Sequence, residues 1–530
     1  MNYFSSLGNK FKQLCIEYYH KKISFISLLS TMKIFMFNYI VSHAKPFWLH
    51  LCYFLVVSLI GFMALKVSKP RTDVDQLTSL DLFYTAVSAS TVSSMSAVEM
   101  EVFSNYQLIV MTILMLLGGE VFTSMLSLQL KRFKFSSYES TKIDNSKGID
   151  QSIELGIINQ FSSTSNNNNK SYSSFNYYYS IKLLGYVVLG YMSSLLTIGS
   201  TLVTMYMILT PSANDVLKNK GLILHTFSFF VIVSTFSSCG FVPTNENMMI
   251  FRQNPGLLWI IIPYLFLGNS LYPVFLRLVI WVLERFTKRK EFYYMLHNYQ
   301  EMGYDHLMSS KKTWFLGATT IGFWVLQIAV FSGMEWNSGV MEGMNSYEKF
   351  VGTIFQTANS RHSGEFIVDL SLISSAVLVL FIIMMYLPAY TSFLPISNEH
   401  QEEVPENNII MKKQNEKKRI IENMLLSQLS YLSIFIMLVC ITERKSMKED
   451  PLNFSVLNIV FEIISAYGNV GFSMGYSCKR RLTTDQTCED KLYGFSGRWS
   501  NAGKCVLIIV MFFGRLKKFN MHGGKAWKML

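Results

Sequence analysis

Eight apolar runs of roughly bilayer length constrain this chain more than anything else in it. About 20 apolar residues cross a hydrocarbon core as a helix. The runs are Pro46–Leu65, Tyr106–Leu130, Ile181–Leu209, Gly256–Leu283, Trp314–Phe331, Leu370–Tyr390, Leu425–Ile441 and Lys504–Phe513 with its flanks. Charged residues are 15% of the 530, against about 25% in an average soluble protein. A disordered chain, a collagen-like chain and an ordinary cytosolic enzyme are excluded. The expectation is one all-α polytopic membrane unit. A further apolar stretch, Ile23–Val41, carries Lys33 in its middle and Lys21, Lys22 and Lys45 at its flanks. No small-residue cleavage site follows it, so it reads as an interfacial or accessory helix rather than a signal peptide.

Four stretches of a different kind lie between paired runs: Leu80–Ser96, His225–Val242, Tyr347–Glu365 and Ser455–Ser473. They are moderately apolar, rich in Ser, Thr and Gly, and too short and polar to span. Each ends in a small-residue turn. The turns are Thr91-Val92-Ser93-Ser94-Met95, Ser237-Ser238-Cys239-Gly240-Phe241, Asn359-Ser360-Arg361-His362-Ser363-Gly364-Glu365 and Gly468-Asn469-Val470-Gly471-Phe472. Ser94, Gly240, Gly364 and Gly471 are 146, 124 and 107 residues apart. The chain reads span, re-entrant segment, span, four times over. Non-helical backbone at membrane depth is costly unless it is buried in protein or lines water. Four such turns in register favour a common pore over ordinary interhelical turns. Backbone carbonyls there replace a cation's hydration shell, and the C-terminal ends of short helices add negative potential.

The net charge of +12 sits in the connections between runs. Nucleic-acid binding would need a basic face on a soluble module, so no nucleic-acid partner is expected. The organisation expected is an N-terminal segment 1–45, repeat A 46–130, a low-complexity linker 131–177, repeat B 178–284, a linker 285–312, repeat C 313–396, a linker 397–423, repeat D 424–518 and a tail 519–530. The basic linkers fall on one side, and the positive-inside rule puts them and both termini in the cytoplasm. Seven Cys are scattered without a CxxC pair, so neither a zinc nor a redox motif exists. Cys478 and Cys488 bracket a polar loop on the predicted outside, where they form either a disulfide or two free thiols. Asn453-Phe454-Ser455 is a glycosylation sequon on that same side.

At these motifs the chain resembles the plant HKT transporters of the Trk/Ktr/HKT superfamily of cation transporters. The matching stretches are Ser90–Asn105, Leu117–Val121, Cys239–Met248, Asn359–Glu365, Met384–Pro388, Ser465–Phe472 and Gly514–Lys518. The resemblance covers the chain from about Pro46 onward, except the linkers. It implies four M1–pore-helix–M2 repeats arranged pseudo-fourfold around a central pore. It also implies a homodimer in the plasma membrane, with one pore in each protomer. Ser94, Gly240, Gly364 and Gly471 take the four filter positions, with Val92, Ser93, Ser238, Cys239, His362, Ser363, Asn469 and Val470 adjacent. In the family a Ser at the first position is typical of Na⁺-selective members, so the substrate implied is Na⁺, held at the filter ring and moved down its electrochemical gradient without a cofactor. A K⁺ transporter or Na⁺–K⁺ symporter is the alternative.

Several charges lie at membrane depth, where they cost about 2.5–3.5 kcal/mol on insertion scales. Arg515 either snorkels at the end of the last span or, as the resemblance implies, forms a barrier to cations below the filter. Glu120 is expected to pair with a neighbouring helix, and Arg277 to snorkel. Glu365 and Asp369 either concentrate cations at the mouth or cap the following helix. Arg361, His362, Glu99 and Glu462 are expected to brace the filter from behind. Two readings from other classes are a polytopic membrane enzyme and a receptor-like protein without transport. The nine His form neither HxxxH nor HExxH, which weighs against the enzyme.

Overall fold

The computed structural model describes residues 46–71, 77–129, 167–391, 428–481 and 488–520. The Ile23–Val41 stretch lies outside them, as do residues 130–166, 392–427 and 521–530 of the linkers and tail. The chain divides into two compact units, Met1–Tyr53 and Phe54–Leu530. In the first, the Phe47 and Trp48 rings meet edge to face at 5.6 Å. Everything below concerns the second.

The helices that frame the site are α1 (Pro46–Val67), α2 (Ser79–Ser90), α3 (Asn105–Gly118), α4 (Glu120–Gln129) and α5 (Asn167–Leu209). They continue with α6 (Leu224–Phe236), α7 (Pro255–Leu267), α8 (Tyr272–Thr287), α9 (Ser310–Glu335) and α10 (Ser346–Asn359). The set closes with α11 (Ser375–Tyr386), α12 (Gln428–Thr442), α13 (Val456–Gly468) and α14 (Asn501–Asn520). Local chemistry sets several starts. Thr78 caps α2 by accepting from the Asp81 N–H at 3.2 Å. Ser104 with Gln107 and Asn345 with Glu348 form capping boxes on α3 and α10. Pro255 opens α7, where its missing N–H costs nothing.

α1, α5 and α9 are long and apolar enough to cross a membrane, and six spans result if each bent helix pair is counted as one. Their outer faces expose large apolar side chains, among them Ile60, Met63, Ile198, Met205, Ile321 and Val325. Two expected spans are not single helices. α3 and α4 meet at 60°, and α7 and α8 at 84°. The cause is close packing at glycine. A Cβ on Gly118 would overlap the Ser90 carbonyl, and one on Gly268 the Phe236 carbonyl. Each broken helix therefore runs directly against the C-terminal end of its own repeat's short helix. The Leu370–Tyr390 run also contracts, with only Ser375–Tyr386 forming α11.

The repeats pack in a closed cycle. α3 of repeat A packs on α6 of repeat B, α7 of B on α10 of C, α11 of C on α13 of D, and α14 of D on α2 of A. Each short helix is thus held between its own repeat and the preceding one.

One seam of this cycle carries a buried ion pair. Lys504 Nζ of α14 donates to Asp81 Oδ1 of α2 at 2.7 Å, both side chains being about nine-tenths buried. Removing one partner of such a pair strands the other charge, at a cost of about 3–5 kcal/mol. Lys504→Met is therefore expected to lower the melting temperature of the detergent-purified protein sharply. The double variant Asp81→Asn with Lys504→Met should recover most of the loss, and equal melting of the two variants would remove the pair from the stability argument.

Candidate selectivity filter

The four turns follow directly from the ends of α2, α6, α10 and α13, so four helix C-termini converge on them. Their backbones share an unusual pattern. Val92 and Ser94 have φ of 53° and 52°, Ser238 and Gly240 of 58° and 90°, and Asn469 and Gly471 of 52° and 102°. In the third turn only Gly364 is left-handed, at 71°. Left-handed backbone costs a residue with a Cβ about 1–2 kcal/mol. Ser94 bears that cost at the position where the other three repeats have glycine.

The turns touch in the same cyclic order as the helices. A Cβ on Gly240 would overlap the Ser363 carbonyl of the next repeat. One on Gly364 would overlap the Val470 carbonyl, and one on Gly471 would meet the Ser94 side chain. The Cys239 thiol lies beside the Ser94 backbone on the remaining side of the ring. The four candidate filter residues are therefore brought together, with Ser363, Val470 and Cys239 at their contacts.

Side-chain hydrogen bonds of one pattern tie three of the turns to their helices. The Gly240 N–H donates to Ser234 Oγ at 3.0 Å, and the Gly471 N–H to Ser465 Oγ at 3.1 Å. Ser88 stands at the same six-residue spacing before Ser94, yet its Oγ has no partner among the described residues. In the third turn Asn359 takes this role, its Oδ1 accepting from the Glu365 N–H at 3.1 Å and from Ser363 Oγ at 2.8 Å.

The charges around the ring resolve the alternatives left by the sequence. Arg361 is buried. Its Nη2 donates to the Pro388 carbonyl at 2.5 Å, and its guanidinium lies 5.1 Å from the centre of the Phe323 ring. His362 Nδ1 lies 2.6 Å from the Ala358 carbonyl. Glu462 accepts from Ser473 Oγ at 2.8 Å and from the Ser496 N–H at 3.0 Å. Glu99 accepts from the Leu492 N–H at 3.1 Å. Asp369 is exposed and caps the turn that follows it, accepting from the Ser371 N–H at 2.9 Å. Glu365 does neither thing expected of it. It is fully buried and accepts from Thr235 Oγ1 at 2.6 Å, joining repeats B and C.

On the other side of the turns, Glu120 follows the break at Gly118 and Gly119, and its Oε1 lies 3.2 Å from His306 Nε2. Arg277 does not snorkel freely, because its Nη1 donates to the Met308 carbonyl at 2.7 Å. Arg515 is 1% exposed, so it does not reach the membrane surface. Its Nη2 donates to the Gly118 carbonyl at the break, and its guanidinium lies 5.6 Å from the Phe54 ring centre.

Two polar features lie further from the ring. Cys478 and Cys488 are joined as a disulfide. Asn453 is 1% exposed, and its Nδ2 donates to Asp450 Oδ2 at 2.9 Å and to the Ser477 carbonyl at 3.0 Å. A glycan on that nitrogen would leave it one N–H and so cost at least one of these two buried bonds.

Sequence reasoning missed one ion cluster. Lys220 Nζ bonds Glu101 and reaches Glu246 Oε2 at 2.6 Å, linking the segments that follow the first two turns. Burial opposes the charge on Lys220, but the two carboxylates outweigh it and hold the ammonium above the usual lysine range. The tie is accordingly intact at neutral pH and is lost only as pH rises through that raised value. No motif marks it, because its three members are far apart in sequence.

The profile of the TrkH family, described as cation transport proteins, matches residues 56–522. "Cation transporter HKT1;3" of Oryza sativa subsp. japonica is 46% identical over 97% of this chain and 99% of its own length. The chain belongs to the Trk/Ktr/HKT superfamily. "Sodium transporter HKT1" of Arabidopsis thaliana is 48% identical, covering 88% of this chain and 91% of its own. "Cation transporter HKT2;4" of the same rice is 38% identical over 90% of this chain. The crystal structure of the potassium transporter TrkH from Vibrio parahaemolyticus aligns over 90% of this chain and 84% of its own, at 12% identity and a TM-score of 0.47. By its family and its closed cycle of packed helices, the chain is a polytopic membrane protein, all-α among its described residues, with four repeats around a central pore. It is a cation transporter and not an enzyme.

Proposed function

We propose that the chain is a Na⁺-selective, channel-like transporter whose filter is the ring of Ser94, Gly240, Gly364 and Gly471. The observation that carries this reading is the Ser94 side chain. It is held at positive φ and set against Gly471, where a fourth glycine would leave the ring symmetric. A left-handed residue at every second position turns successive carbonyls of an extended chain to one side. In three of the four turns this would give a cation its oxygen ligands. Ser94 narrows one quarter of that ring. The four helix C-termini add negative potential for a cation.

The same reading puts the protein in the plasma membrane, with both termini and the linkers in the cytoplasm and the chain assembled as a homodimer with one pore per protomer. The sodium transporter among its relatives supports the choice of ion. Voltage clamp of expressing cells, with external Na⁺ exchanged for K⁺, tests it. The reversal potential should follow external Na⁺ and ignore K⁺. A reversal potential that follows K⁺, or both ions, would overturn the reading in favour of a K⁺ transporter or a Na⁺–K⁺ symporter.

Arg515 is part of this proposal as a barrier to cations beneath the filter. Its positive charge is buried at the break in repeat A rather than hydrated at the membrane surface. Arg515→Gln should raise the current and change its rectification, as read from current–voltage curves at equal surface expression. Curves identical to wild type would confine Arg515 to a structural role.

A further inference from the structure

We infer that Asn469, in the fourth turn, is a positioning residue for the ion preference of the first turn, acting on Ser94 through the side chain of Ser93. This inference rests on the filter reading above. Asn469 Nδ2 donates to Ser93 Oγ at 2.7 Å across the seam between repeats D and A. It also faces the Met511 carbonyl at 3.2 Å and the Ala466 carbonyl at 3.4 Å. Carbonyl oxygens only accept, so they fix the orientation of the amide and make Nδ2 the atom at Ser93.

The direction of the remaining bonds follows. Thr91 Oγ1 spends its proton on the Val87 carbonyl, 2.7 Å away. The 2.8 Å contact between Thr91 Oγ1 and Ser93 Oγ must then take its proton from Ser93. A single chain of donors therefore runs from Asn469 to Ser93 to Thr91 and ends on the last turn of α2. Every member is buried. Bonds in such a chain strengthen one another in a low dielectric.

Ser93 sits between two left-handed residues that are not glycine, Val92 and Ser94. Strained backbone of this kind persists only where its surroundings over-determine it. The donor chain supplies that restraint at Ser93. The equivalent helix serine does not, since the Oγ of Ser88 bonds nothing among the described residues. Loss of the Asn469 bond should free the first turn to relax and change how Ser94 narrows the ring.

The test is a double-mutant cycle read as the Na⁺/K⁺ permeability ratio of the full-length transporter. Asn469→Gly removes the donor while suiting the φ of 52°. Ser93→Ala removes the acceptor from the other side. Each should change the ratio about tenfold, and the pair together should change it no more than one alone, as for residues that act through a shared contact. Thr235→Val, which breaks the Glu365 bond at the seam between B and C, should combine additively with Ser93→Ala. If Asn469→Gly gives no current, Thr91→Val takes its place in the cycle, because it removes the acceptor of the Ser93 proton and leaves the bond from Asn469 in place. Wild-type ratios in the single variants, or additive effects in the pair, would overturn the inference. A wild-type protein that prefers K⁺ would overturn the Na⁺ reading alone, since the cycle measures coupling whichever ion is favoured.

Discussion

Gly240→Ala should cut transport about tenfold or more in a protein that still reaches the membrane. Two costs act together at this position. The φ of 90° is one that L side chains rarely adopt, and the strain alone is worth about 1–2 kcal/mol. The larger cost is steric. The new Cβ would overlap the backbone carbonyl of Ser363, which belongs to the next repeat and cannot rotate aside as a side chain would. Ser363 is itself anchored through its Oγ to Asn359 Oδ1 at 2.8 Å. The ring must therefore open at the seam between B and C, where the proposed filter coordinates its ion. Gly343→Ala separates the two costs. Gly343 also has positive φ, at 80°, but a Cβ there would find only the end of the Arg252 side chain, 3.6 Å away. Gly343→Ala should transport normally, while Gly240→Ala, at equal surface expression, should lose about tenfold or more of its current, the effect of some 1.4 kcal/mol. Wild-type current in Gly240→Ala would show that the ring tolerates displacement and would remove the close approach from the mechanism.

The repeat pattern was legible because two strong signals alternate along the chain. Long apolar runs mark the spans, and four small-residue turns between them mark the re-entrant segments. Burial in lipid leaves few other ways to satisfy the backbone, so the runs form helices, although only α1, α5 and α9 among the described residues are single helices long and apolar enough to cross. The breaks within repeats A and B were not legible as breaks. Gly118-Gly119 and Gly268-Asn269 sit in runs whose hydropathy continues on either side. Their effect depends on a carbonyl from another helix, Ser90 or Phe236, arriving at the same point. The same limit explains Glu365. From its place beside Gly364 it reads as a mouth residue, and only the packing of α6 reveals Thr235 as its partner. The pairing of Asp81 with Lys504 spans 423 residues, and nothing local in either neighbourhood announces it. Asn453 shows the opposite limit. Its sequon is locally complete, but the fold uses its amide for two buried bonds.

Ser94→Gly should admit K⁺. The substitution does three things at the seam between repeats D and A. It removes a Cβ and a hydroxyl from the space facing Gly471. It relieves left-handed strain of about 1–2 kcal/mol at residue 94, so the fold should not suffer. It also restores four glycines to the four equivalent positions, and a wider, more regular cage suits the larger ion. A fall of about tenfold in the Na⁺/K⁺ permeability ratio is expected, equivalent to some 1.4 kcal/mol of discrimination. Whether cavity size or the field of the ligands sets such discrimination is a general question for carbonyl filters, and Ser94→Ala addresses it here. Alanine keeps the Cβ and the strained φ but loses the hydroxyl. A ratio close to wild type in Ser94→Ala would assign the preference to bulk at the seam. A ratio close to that of Ser94→Gly would assign it to the hydroxyl oxygen. An unchanged ratio in Ser94→Gly itself would move the determinant of ion choice away from this residue altogether, because no other substitution in the ring removes as much material at so little cost to the backbone.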